Sequence, residues 1–112
     1  MLESLIDYNA TDLLSLLNKR EISGVELLDC CIRQYYDVNP YLNAIVETNF
    51  AESGKLFEKF DAEFGLDKHP GRFLPLPVAV KDLNDVKGLK TTFGSPLFRD
   101  NVATEDDDVV AQ

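Results

Sequence analysis

The sequence predicts an α/β or α+β fold, in which short amphipathic helices alternate with short strands. Three segments in the first 64 residues place apolar side chains near a 3.6-residue period, as helices packed on a core do. A later apolar run over 78–81 is short, rich in valine and followed by charge, which indicates a buried strand ending in a lysine. The 112 residues are enough for one domain with a modest core.

The first two predicted helices each begin at a residue that caps helices. Asn9 can accept a hydrogen bond from a first-turn amide, and it predicts a helix over 10–19. Ser23 and Glu26 form the capping-box pattern, in which each side chain accepts a hydrogen bond from the other residue's backbone amide. This pattern predicts a second helix over 23–37.

The second helix is expected to end at Asn39-Pro40, because proline has no amide proton and restricts the residue before it. A short strand is predicted over 42–48, a third helix over 50–64, and a loop or extended crossing over 65–77. The third helix carries a stripe of aromatic side chains that we expect to form a core face: Phe50, Phe57, Phe60 and Phe64.

Composition and charge argue against several classes of function. The net charge of −9, with no cluster of lysine or arginine, argues against direct binding of nucleic acid. No apolar run reaches the ~18 residues of a membrane span, so we expect a cytoplasmic protein with no membrane contact. Cys30 and Cys31 are neighbours in a predicted helix, where they cannot easily form a disulfide, and Cys31 is expected to pack in the core.

Metal sites have little support in the sequence. His69 is the sole histidine, so the nitrogen and sulfur ligands of a zinc site are missing. The acidic run 105–108 lacks the spaced oxygen ligands of a calcium loop, and we interpret it as the start of a helix, where carboxylates favour the helix dipole.

The run Pro77-Val78-Ala79-Val80-Lys81-Asp82 points most directly to chemistry. A lysine at the carboxyl end of an apolar strand lies where open α/β sheets bind ligands. Desolvation there would disfavour the ammonium form, so that the neutral amine of Lys81 acts as a base. The same six residues also fit a solvated lysine, or one paired with Asp82 or Asp85, and alone they favour this structural interpretation.

Five motifs change that balance because they resemble, in order, those of the amidase-signature family. The family's runs are Ser-x-x-Glu-Leu, Asn-Pro-x-Leu-Asn-Ala, Pro-Val-x-Val-Lys-Asp, Gly-x-x-Thr-Thr-x-Gly-Ser and Asp-x-x-Val-Val. Their matches here are Ser23 to Leu27, Asn39 to Ala44, Pro77 to Asp82, Gly88 to Ser95 and Asp106 to Val110. One departure is Pro75, which stands where the family usually has a glycine.

The resemblance implies the amino-terminal part of an α/β/α sandwich around a mixed sheet, incomplete here and truncated at the carboxyl end. It also implies hydrolysis of a small-molecule carboxylic amide by a Ser–Ser–Lys triad without a metal or organic cofactor, with Lys81 as the catalytic lysine. None of the five serines lies in a Gly-Gly-Ser-Ser-type loop, so the bridging serine and the nucleophile are expected outside this chain. Ser95 matches a structural position of the family motif and not the nucleophile.

Two alternatives are left open beside a segment of an amidase. One is a segment of the amidase subunit that releases ammonia from glutamine for transfer to misacylated tRNA. The other is a non-catalytic truncated protein or pseudoenzyme, whose exposed apolar surface, including the phenylalanine stripe, would favour self-association or binding of a partner. The chain of 112 residues is expected to be inactive by itself.

Overall fold

The computed structural model describes residues 2–63 and 75–112. Its α-helices are α1 (Ala10–Asn18), α2 (Gly24–Leu42), α3 (Phe50–Glu63) and α4 (Asp108–Ala111), and 3-10 turns lie at Leu2–Asp7 and Pro96–Phe98. The first three helices compare with predicted ranges of 10–19, 23–37 and 50–64, of which residue 64 lies outside the described part of the chain.

The predicted α/β fold is wrong for the described residues, which form helices and loops without a strand. Their β-type pairing is limited to an isolated antiparallel bridge between Lys90 and Val102. The predicted lysine strand over 78–81 is irregular backbone, and Val78 and Val80 are 78% and 42% exposed. A strand needs a partner for its backbone hydrogen bonds. The α/β/α sandwich and mixed sheet that the resemblance implies are therefore not observed.

The chain divides into two compact units. The first consists of Met1–Val46 and Phe50–Pro77, and it contains α1, α2 and α3. The second consists of Glu47–Asn49 and Val78–Gln112, and it contains Lys81 and α4. The first unit thus supplies a helical core, and the second carries the candidate site.

The helical unit has its core between the amino-terminal 3-10 turn, α1 and α2. Leu5, Leu17, Leu27 and Cys30 are the buried members of this core. Cys30 is more deeply buried than Cys31, which the sequence predicts in the core and which is half-buried, and neither forms a disulfide. Burial, and then the neighbouring Cys30, raise the pKa of the Cys31 thiol.

The phenylalanine stripe of α3 is a core face within the described residues. Phe57 and Phe60 are each 8% exposed, and the half-buried Phe50 packs edge-to-face on Tyr35 with ring centroids 5.1 Å apart. Phe64 lies outside the described residues. The exposed stripe that the non-catalytic alternative requires is therefore not found at Phe57 and Phe60, and self-association stays a prediction.

The start of α2 is fixed by side chains on both sides. Ser23 Oγ accepts a hydrogen bond from the Glu26 amide at 3.1 Å, and Glu26 Oε2 accepts one from the Ser23 amide at 2.8 Å, which confirms the predicted capping box. Asp61 of α3 binds the next two amides, with its oxygens 2.7 Å from Gly24 N and 2.9 Å from Val25 N. The first-turn amides of α2 therefore all have partners, and two of those bonds join α2 to α3.

The end of α2 differs from the prediction. The helix includes Pro40 and continues to Leu42, because a proline in the last turn removes one hydrogen bond without ending the helix. Asn43 ends it in the left-handed region, with φ 49° and its amide 2.7 Å from Asn39 O. The Asn39 side chain accepts from Ile45 N at 2.8 Å and donates to Ile45 O at 3.0 Å. The strand predicted over 42–48 is therefore wrong, since this side chain binds the backbone groups that a strand would use.

Candidate functional site

Lys81 lies in irregular backbone after the exposed residues 78–80, and its own side chain is exposed. Its carbonyl oxygen accepts a hydrogen bond from Asn84 N at 3.0 Å, which closes a turn directly after it. Among residues 2–63 and 75–112 no hydrogen bond or ion pair reaches its amine. The described residues therefore fix the backbone of Lys81 and leave its amine exposed.

The next residue, Asp82, is bound to a neighbouring turn of the same unit. Its carboxylate accepts hydrogen bonds from Thr92 N at 2.7 Å and from the Thr92 hydroxyl, and the Gly94 amide also favours its ionised form. Its carbonyl oxygen accepts from Phe93 N at 3.2 Å. We call this group, Asp82 with Thr92 and Gly94, the Asp82 clasp.

Electrostatics in the Asp82 clasp favour the ionised carboxylate. The Thr92 hydroxyl makes the largest contribution, ahead of the amides of Thr92 and Gly94, in holding the pKa of Asp82 below its ordinary value. Partial desolvation opposes the two Thr92 bonds and is weaker than either of them. The clasp is thus an anionic group beside Lys81 whose oxygens are already occupied by neutral donors.

A tight turn presents the donors of the clasp to Asp82. Phe93 and Gly94 have φ values of 54° and 67°, and Ser95 N donates to Thr92 O at 2.9 Å across them. Two successive left-handed residues are typical of a type I′ turn, in which glycine is favoured. Phe93 is the strained member, and its ring packs edge-to-face on Phe98 with centroids 5.2 Å apart.

Backbone hydrogen bonds join residues 88–91, which precede this turn, to residues 101–103, which follow it. Gly88 N donates to Ala103 O at 2.9 Å, and Ala103 N donates to Leu89 O at 2.9 Å. Thr91 N donates to Asn101 O at 2.9 Å, and Asn101 Nδ2 donates back to Thr91 O at 2.9 Å. Thr91 is 1% exposed, and its hydroxyl has no hydrogen-bond partner among the described residues. The two adjacent threonines therefore differ, because only Thr92 uses its hydroxyl.

The acidic run near α4 binds loop backbone. Asp106 Oδ1 accepts from Lys87 N at 2.7 Å, and Asp107 Oδ2 accepts from Asp85 N at 2.8 Å. α4 begins at Asp108, so the acidic run lies at the start of a helix as predicted, with Asp107 as the residue before it and without a side-chain cap. Within the described ranges, histidine, cysteine and acidic side chains form no cluster suited to a metal ion, and His69 lies outside those ranges.

Ser95 has a local structural role. Its hydroxyl accepts a hydrogen bond from Leu97 N at 3.3 Å and caps the 3-10 turn over Pro96–Phe98. No separate role was predicted for Thr92, three residues before Ser95, although Gly94 in the Thr-Thr-x-Gly-Ser run already indicates a turn there.

In the described parts of the chain, no helix has the length and apolar character needed to cross a bilayer.

Comparison with known proteins connects this geometry to a family. The family model described as "Amidase" matches residues 26–112, a span that contains Lys81 and the Asp82 clasp. Human fatty-acid amide hydrolase 2 is 31% identical over 118 aligned positions, covering 97% of this chain and 22% of that protein. The Rhodococcus erythropolis acylamidase is 29% identical, covering 86% of this chain and 20% of the relative.

A third relative is named for a different activity. The glutamyl-tRNA(Gln) amidotransferase of Bacillus cytotoxicus has a subunit that is 30% identical, covering 85% of this chain and 19% of its own length. The chain thus spans about a fifth of the length of these curated relatives. A family-model match over most of the chain, with a relative above 30% identity, shows that the chain belongs to the amidase family, the amidase-signature enzymes that its motifs resemble.

Proposed function

We propose that the gene product carrying these residues hydrolyses a carboxylic amide to an acid and ammonia or an amine, with Lys81 as its general base. Membership of the amidase family over residues 26–112 carries the proposal, because that span includes Lys81 within its Pro-Val-x-Val-Lys-Asp motif. The amine of Lys81 is exposed and is not held by any described residue, so it is accessible to a partner.

The proposed mechanism needs two serines in addition to Lys81. The neutral amine takes a proton from a bridging serine, which takes one from the nucleophilic serine as that oxygen bonds to the amide carbon. Collapse of the tetrahedral intermediate breaks the C–N bond, and the leaving nitrogen receives the proton. Water then attacks the acyl ester with the lysine again as base, which releases the acid and restores the serine. A lysine acts in this way only where its surroundings favour the neutral amine.

The substrate is proposed as a class and not as one compound. The names of the relatives concern a fatty-acid amide, an acyl amide and an amidotransfer to glutamyl-tRNA(Gln), and amide cleavage is the reaction proposed from all three. A role within a tRNA-dependent amidotransferase is the second candidate, because the identity to the Bacillus cytotoxicus protein is close to that of the other relatives.

The test uses the complete gene product, expressed from its own open reading frame, and measures release of ammonia or amine. The substrates are short acyl amides, long-chain fatty amides, and glutamine with and without misacylated tRNA. We expect hydrolysis of at least one amide and a loss of about 10²- to 10⁴-fold in Lys81→Ala, the usual contribution of a general base. Lys87→Ala is the matched control, because Lys87 is also an exposed lysine of the same unit and its amide, not its side chain, binds Asp106.

The outcomes separate the candidate functions. Lys81→Ala with wild-type turnover would remove the lysine from the mechanism. Hydrolysis of glutamine alone, stimulated by misacylated tRNA, would favour the role within an amidotransferase. Failure of the folded protein to hydrolyse any of the amides would favour the non-catalytic alternative.

A further inference from the structure

The residue after Lys81 is an aspartate whose carboxylate is bound away from the lysine. Asp82 lies next to Lys81 in sequence, where an acidic side chain could pair with the amine. Its oxygens instead accept hydrogen bonds from the amide and the hydroxyl of Thr92. No ion pair between Lys81 and Asp82 is present in the described structure.

We propose that Asp82 is a positioning residue for Lys81, and that Thr92 is the anchor that keeps the Asp82 carboxylate from pairing with the lysine amine. The inference rests on the proposed function, in which Lys81 takes a proton. It adds two residues that do not touch the reacting atoms but act through Lys81.

Backbone hydrogen bonds hold Lys81 and the residue after it. The Lys81 carbonyl is fixed by Asn84 N at 3.0 Å, and the Asp82 carbonyl by Phe93 N at 3.2 Å. The Asp82 side chain adds the bonds to Thr92, so one residue is attached to the turn through main chain and side chain together. The direction of the Lys81 side chain is set by this backbone, because exposed residues 78–80 before it provide little packing.

Thr92 and the Lys81 amine are alternative partners for the Asp82 carboxylate. A carboxylate paired with an ammonium stabilises the charged lysine, and it would keep Lys81 protonated where a base is needed. A carboxylate that already accepts hydrogen bonds from the amide and the hydroxyl of Thr92 gains less by turning toward the amine. Removing the Thr92 hydroxyl takes away the bond to Asp82 Oδ2 and frees that oxygen for Lys81.

Other charged residues of the same unit are common to every variant in the test. Those whose side chains make hydrogen bonds in the described structure include Glu47, Arg99, Asp106 and Asp107. The carboxylates of Glu47, Asp106 and Asp107 each accept a backbone amide hydrogen, so their positions are fixed independently of Thr92. A change in the pH profile on substitution of Thr92 therefore reports on Asp82 and Lys81.

The experiment compares kcat/KM against pH for the complete gene product and its variants. In Thr92→Val we expect kcat/KM to fall about tenfold, because small displacements of a catalytic group are costly. We also expect the acidic limb of the kcat/KM profile to move to higher pH by about one unit, because the freed Asp82 carboxylate pairs with the Lys81 ammonium. Thr92→Ser keeps the hydroxyl and should restore both the rate and the profile. Thr91→Val is the matched control, since the Thr91 hydroxyl has no partner in the described structure.

A second variant keeps the test decisive if Thr92→Val does not fold, as judged by circular dichroism. Asp82→Asn keeps the shape but not the charge, so we expect a lower kcat/KM with no upward shift of the acidic limb. A Thr92→Val profile that superimposes on that of Thr91→Val would overturn the inference, as would wild-type kinetics in Asp82→Asn. Lys81→Ala separates this failure from that of the proposed function: if Lys81→Ala is inactive, only the positioning inference is lost.

Discussion

Gly24 allows the packing of α2 on α3 to be tested with one added methyl group. A Cβ at Gly24 would lie 3.1 Å from Asp61 Oδ1, 3.1 Å from Pro75 Cγ and 3.3 Å from Phe57 Cδ1. All three distances are shorter than an ordinary carbon contact, so the neighbours of Gly24 must move. Movement of Asp61 also weakens its bonds to the first two amides of α2. We expect Gly24→Ala to lower the free energy of unfolding by about 1–3 kcal/mol, the range for overpacking.

Gly54 provides the control, because it lies in the middle of α3 and an added Cβ meets nothing within 4 Å. Gly54→Ala should raise the free energy of unfolding by about 0.5–1 kcal/mol through the lower entropy of alanine in the unfolded chain. Urea unfolding followed by far-ultraviolet circular dichroism measures both variants, with equal slopes required for the comparison. The reasoning is refuted if Gly24→Ala is as stable as Gly54→Ala, since the close contacts would then be absent in solution.

Four further outcomes are expected. Asp61→Ala should lower the free energy of unfolding by about 2–3 kcal/mol, because two amides at the start of α2 lose a charged acceptor. Asp61→Asn keeps one side-chain oxygen, so its free energy of unfolding should fall by less in the same urea titration. Thr91→Val should leave the unfolding midpoint unchanged or raise it, because it removes a buried hydroxyl without a described partner. The pKa of Asp82 is lowered in the folded state, so its stabilising contribution is complete above the ordinary pKa and is lost as pH falls through the lowered value. Wild-type stability should therefore fall more steeply in acid than that of Asp82→Asn, and equal acid titrations would contradict the Asp82 clasp. Residues 1–112 alone should show neither amide turnover nor labelling by serine-directed fluorophosphonates, and labelling of one defined serine would show that a nucleophile is present.

The helix starts were predictable because their signals are local. Ser23 and Glu26 are three residues apart, and the bonds that they exchange depend on little else in the chain. Asn9 likewise binds the amide of Asp12 at 2.9 Å, as predicted. The contribution of Asp61 to the same helix start could not be predicted, because it lies 37 residues after Gly24 and belongs to another helix.

The errors in the fold prediction have identifiable physical causes. Pro40 predicts an end to α2, but the amide of Asn43 and the Asn39 side chain stabilise the backbone on either side of it. The predicted strand over 78–81 is wrong for a different reason. Three apolar residues in a row are compatible with a buried strand, but only a neighbouring strand provides the backbone partners, and the described residues provide none.

The candidate site shows the same division between local and distant information. The motif containing Lys81 identifies the family from adjacent residues, and the comparisons confirm that family. The partner of Asp82, however, is Thr92, ten residues away and directly before a turn with two left-handed residues, and no periodicity in the sequence indicates it. Because the Asp82 clasp binds the carboxylate with neutral donors, the charge beside Lys81 is retained while its pairing with the amine is disfavoured. Thr92 is therefore the position at which we propose that substitution raises the basicity of Lys81 without altering the lysine itself.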